Sequence, residues 1–169
     1  MVEGNKINKT KEGNLAKLKE NYSLLCKKYG FPSFLFINEN FEIENINITE
    51  TDLLIKQIRK HITEKIFFIL RTLETFLNPQ NAPLFVFDII KLFSESDKDL
   101  IEEIYKKLGR YEIEAFSLES SYDEKKEAEF IKQVCADWKE ISKDLNKLAS
   151  VMRENYSKDS KKQAKSYFG

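Results

Sequence analysis

Apolar residues recur at steps of three and four along most of this chain, which is the spacing of one face of an α-helix. Leu15, Leu18, Tyr22, Leu25 and Tyr29 trace a first helix that Asn14 can cap and that Gly30 with Pro32 can stop. Leu54, Ile58, Ile62, Ile66, Ile69, Leu73 and Phe76 form the stripe of a second, opened by a cap over Thr49–Asp52 and closed at Asn78-Pro79. A short third helix, Leu84 to Phe93, is apolar at nearly every position except Asp88 and Lys91. Such a helix is either central in a bundle or docked against another chain; the pattern is read here as the most buried element of the bundle. Ser96–Asp99 caps a fourth helix with Leu100, Ile101, Ile104, Tyr105, Leu108 and Tyr111 inward, continuing through Gly109 to about Leu118. The fifth opens at Ser121-Tyr-Asp-Glu124, a capping-box pattern, and carries Ala128, Ile131, Val134, Trp138, Ile141, Leu145, Leu148 and Met152 as a sustained heptad.

Between the first two helices, Phe31, Phe34, Leu35, Phe36, Phe41, Ile43, Ile46 and Ile48 are apolar, the last four with a partial period of two. A lone strand has no ladder partner, so this segment is read as an extended, aromatic-rich connector pinned across helices. Residues 1–13 show no periodicity and are read as a flexible arm. The Ser- and Lys-rich residues 155–169 are read as a basic, mobile tail unless a partner orders them. The expectation is therefore an all-α helical bundle of about five helices with a long C-terminal helix, forming one domain over residues 14–154.

Composition narrows the function more than it names it. The chain has 169 residues, a size suited to one domain with a sizeable core. Five glycines and three prolines argue against a loop-rich all-β chain. The N-terminus has no apolar stretch of the secretory kind, and no apolar run is long enough to span a bilayer. A cytoplasmic protein with no membrane association is expected, with Cys26 and Cys135 as reduced thiols. The sequons at Asn8, Asn21, Asn47 and Asn155 would then go unmodified.

Candidate chemistry is sparse. His61 and Glu64 share a helix face in a spacing that suits metal binding, but di-iron bundles and zinc proteases need a second histidine, and this chain has one. Cys26 and Cys135 lie within helical patterns beside apolar neighbours, which suits buried structural thiols rather than nucleophiles. No glycine-rich phosphate loop occurs. Carboxylate pairs such as Glu102 with Glu103 and Glu112 with Glu114 are ordinary decoration in a chain one-third charged. No enzyme activity and no cofactor are expected.

Two features point to partners. The heptad of the last helix either packs within its own bundle or pairs with a second chain, with Trp138, Ile141 and Leu145 as seam anchors. The formal charge is zero, but it is segregated: residues 1–20 carry +2, residues 139–169 carry +4, and the body between carries −6. Lys158, Lys161, Lys162 and Lys165, with Tyr167 and Phe168 beside them, could meet phosphates and stack on bases, or be a solvated terminus. The segments Lys28–Phe34, Asn78–Phe85, Asp123–Ile131 and Tyr167–Gly169 are similar to uncharacterised helical proteins of archaea. That resemblance implies a small, cytosolic, all-helical protein and supplies no function. The expectation is a non-catalytic interaction or scaffold protein acting through an apolar helix seam on a protein partner or a second copy. The alternative is a nucleic-acid- or ribosome-associated factor using its basic termini.

Overall fold

The computed structural model describes residues 3–47 and 53–167. It is an all-α helical bundle with a long C-terminal helix, and among the described residues there are six α-helices and no strand. They are α1 (Glu3–Tyr29), α2 (Phe34–Phe41), α3 (Leu54–Leu77), α4 (Leu84–Ile90), α5 (Glu95–Ser120) and α6 (Glu124–Tyr167), with single 3-10 turns at Ile43–Asn45 and Pro79–Asn81. The chain divides into two compact units, residues 1–65 with 113–136 and residues 66–112 with 137–169. Helices α3, α5 and α6 each carry the chain from one unit into the other.

The sixth helix is α2, in the segment read as an extended connector. Ser33 caps it, its hydroxyl accepting from the Phe36 amide at 3.2 Å. It ends at Glu42, whose φ of 56° is left-handed, and the Asn38 side chain clasps the turn by accepting from the Glu44 amide at 2.8 Å. The break of phase at Glu42 brings Ile43 and Ile46 into the core with Ile37 and Phe41. A helix followed by one left-handed residue thus mimics the period of a strand.

Three other local readings shift. α1 begins at Glu3, so residues 3–13 continue the helix; Asn14 lies inside it and its side-chain amide donates to the Ile46 carbonyl at 3.0 Å. α5 is capped two residues earlier than expected: Ser94 and Asp97 exchange hydrogen bonds reciprocally, the Ser94 amide donating to Asp97 at 2.9 Å and the Asp97 amide to the Ser94 hydroxyl at 3.3 Å. α6 is capped by Asp123, which accepts from the amides of Lys125 and Lys126. The expected cap over Thr49–Asp52 includes residues 49–52 that lie outside the described ones. Gly30, at φ +70°, terminates α1 as its position predicts, its amide donating to the Cys26 carbonyl at 2.8 Å.

In the first unit, Leu18, Tyr22, Ile37, Ile58, Ile62 and Phe130 are buried. The Tyr22 ring meets Phe34 edge-on at 5.5 Å, and its hydroxyl donates to the Pro32 carbonyl at 2.9 Å. In the second unit, Leu73, Phe76, Phe93, Ile104, Leu108 and Trp138 are buried. There Phe76 and Phe93 meet edge-on at 5.9 Å, Asn155 donates to the Ile89 carbonyl, and the Tyr111 hydroxyl donates to Asp137 at 2.5 Å. α5 runs unbroken through Gly109 to Ser120 because Leu108, Tyr111, Ala115 and Leu118 keep the helical spacing on its buried face.

Candidate functional site

The heptad of α6 is spent inside the chain. Trp138 is 3% exposed and Ile141 is equally buried, so both are enclosed in the second unit's own core, while Leu145 is half-buried and keeps part of its surface open. A seam on a bundle helix and a seam between chains share one spacing, and packing alone distinguishes them. Lys158, Lys161, Lys162, Lys165 and Tyr167 fall on the last turns of α6, where the backbone is helical; Phe168 lies outside the described residues.

The short helix α4 reverses its expected place. Ile89 is buried, as is Phe93 just beyond the helix, but Leu84, Phe85 and Phe87 are 86%, 59% and 50% exposed. At 3.6 residues per turn, Leu84 centres the outward face with Phe85 and Phe87 on its two sides. One turn on, Asp88 and Lys91 occupy the same face and pair at 2.6 Å. Seven residues bury only one stripe; a helix apolar all round must leave the remainder facing out unless something covers it. Smaller apolar exposures occur elsewhere. Ile113 and Phe116, three apart on α5, are exposed, as are Phe67 and Phe68 on α3, where the Arg71 guanidinium lies 4.6 Å from the Phe67 ring centre. Among the described residues only α4 sets three within four positions.

Charge sits inside the first unit in a cluster that the apolar pattern passed over. Arg59 on α3 is buried; its Nε donates to Glu127 Oε2 at 2.9 Å and its Nη2 to Glu119 Oε1 at 2.7 Å. Lys56 approaches the other Glu119 oxygen at 3.5 Å. Burial works against the Arg59 charge, but the two carboxylates outweigh it and raise its pKa, while Arg59 holds the Glu119 carboxyl below the ordinary range. Glu127 is fully buried and its Oε1 has no hydrogen-bond partner. Glu127 precedes Ile131 of the α6 stripe by four, a spacing visible in the chain. Arg59 follows Ile55 by four, but Ile55 lies beside the stripe read for α3 and is buried in the structure. The cluster cross-links three helices of one unit.

Of the chemistry weighed from the residues, His61 is half-buried on α3 and Glu64 is exposed. Among the described residues no group of three His, Cys, Asp or Glu is placed to hold a metal ion. Cys26 donates weakly to the Pro32 carbonyl at 3.5 Å, and Cys135 is buried. Burial pushes both thiols up, Cys135 to about 12, which keeps the nucleophilic thiolate scarce near neutrality. Burial likewise raises the Glu112 carboxyl, whose Oε2 is enclosed without a partner. Among the described residues no helix is long and apolar enough to cross a membrane. Comparisons of this chain with protein-family models, curated proteins and solved structures found no match.

Proposed function

We propose that this chain is a non-catalytic helical interaction protein of the cytoplasm, acting through an apolar helix face on a protein partner or a second copy of itself. The face is the first turn of α4, and the observation that carries the reading is the outward triplet Leu84, Phe85 and Phe87. Large apolar side chains gain roughly 1.5–3 kcal/mol each on full burial, so three left open side by side favour a contact that covers them. With an aromatic side chain presenting roughly 150–250 Å², half-exposed Phe85 and Phe87 offer about 100 Å² each, well short of the ~800 Å² per partner of a standard interface. That area suits a transient contact, or one that neighbouring surface completes. The two unbridged thiols agree with a reducing compartment.

The test is sedimentation equilibrium of the full chain beside its Leu84→Ser, Phe87→Ser variant. Self-association that weakens in the variant while helicity is unchanged supports a second copy. If the native chain is monomeric, pull-down from native lysate with both forms decides: a named partner retained by the native chain and lost by the variant supports the reading. A monomer with identical captures by both forms refutes it.

A further inference from the structure

The face of α6 opposite its buried stripe carries its own regularity. Lys139, Lys143 and Lys147 are exposed at one-turn intervals, and none has an ion-pair partner among the described residues. This sets them apart from Lys28, Lys91, Lys98, Lys106 and Lys107, each of which meets a carboxylate within 3.3 Å. Projected at 3.6 residues per turn, the register of Lys158, Lys161 and Lys165 returns to the same side, and all six fall within an arc of about 100°. Trp138, Ile141 and Leu148 lie on the opposite side of the helix. Two acids share the lysine arc: Glu140, already engaged by Lys107 at 2.8 Å, and Glu154. From Lys139 to Lys165 the stripe runs about 40 Å at 1.5 Å per residue.

We propose that this lysine stripe is a contact edge for the phosphodiester backbone of a double-stranded nucleic acid, bound through charge and without reading of bases. It is independent of the α4 surface. An amphipathic helix that lies on a membrane must give its apolar face to the lipid, and from Trp138 to Leu148 that face of α6 is already enclosed in the unit's core. What remains is a row of lysine positions in register along one side of the helix, and a duplex presents one negative charge per about 1.7 Å of its axis. Lysine fixes position on phosphates and lacks the planar fork that arginine uses for guanine, so the binding is indifferent to sequence.

The experiment is fluorescence anisotropy of labelled duplex DNA and duplex RNA of about 20 base pairs with the full-length protein, titrated between about 50 and 200 mM salt. Binding of either duplex is expected, with a log–log salt slope of about −5 when six phosphates are engaged, which is a loss of about 10³-fold across that range. The Lys139→Gln, Lys143→Gln, Lys147→Gln variant should keep its helicity and thermal midpoint, bind at least about tenfold more weakly at the lowest salt, and show a slope reduced by about half. Absence of binding by both duplexes at low salt overturns the proposal, as does an unchanged slope in the variant. Equal binding to phosphatidylserine-containing vesicles overturns it in favour of an anionic surface of another kind.

Discussion

Arg59 and Leu84 have exchanged the places their side chains would ordinarily take. In the first unit a guanidinium and a carboxylate are sealed from solvent, while in the second a leucine stands almost fully open at the start of a helix. The difference is one of available partners. Arg59 enters the core because Glu127 and Glu119 arrive from two other helices with acceptors at hydrogen-bond distance. Leu84 stays out because the buried side of α4 is already filled by Ile89, and a seven-residue helix has only one side to give.

The largest expected effect lies with the buried charges. Glu127→Ala would leave Arg59 charged and buried with only the surface-facing Glu119, and should cost about 3–5 kcal/mol in urea unfolding. Arg59→Met combined with Glu127→Leu should recover most of that loss, because one Glu127 oxygen is unpartnered and the pair is only partly satisfied. A double variant no more stable than the single one would show that the ion pair itself, and not the avoidance of an orphan charge, holds the helices.

A second test sets Trp138 against Leu84. Trp138→Ala should lower stability by about 3–5 kcal/mol while the mass of the assembly seen by light scattering is unchanged, since the side chain fills the chain's own core. Leu84→Ser should alter stability by no more than about 0.5 kcal/mol and act on association alone. Loss of assembly in the Trp138 variant at full stability would return the α6 seam to the role of interface.

A last test, silent near neutral pH, concerns the thiols. The folded state holds the Cys135 proton more tightly than the unfolded chain, with a pKa raised from 9.0 to about 12. Its contribution to stability is therefore full below pH about 9 and is lost as the pH rises toward about 12. A thiol reagent at pH about 8 should modify half-buried Cys26 first and reach Cys135 only as the protein unfolds. Prompt modification of both in the native state would contradict the burial of Cys135.

Much of the architecture was legible from spacing. The stripes of α1, α3, α5 and α6 are sustained over several turns, and a period of 3.6 repeated that often has one structural meaning. Short elements were not. α2 is eight residues long and ends at a left-handed non-glycine residue, so its pattern changes phase before a period can establish itself. The caps at Ser94 and Asp123 lie within two residues of the expected ones, because several Ser and Asp side chains compete at each boundary and backbone geometry chooses among them. Of the candidate interaction residues, the lysines of the α6 tail were visible as composition, but their common side required the helix to continue to Tyr167.

The sequence by itself determined the helical class, the long final helix and the scarcity of reactive groups, because periodicity and residue counts are local properties. Only the tertiary structure decided which apolar face was enclosed and which left open. Trp138 and Leu84 both occupy apolar positions in the chain, and burial is a property of what another segment brings against a face. The same holds for Arg59, whose partners lie 60 and 68 residues away and become neighbours only when the helices pack.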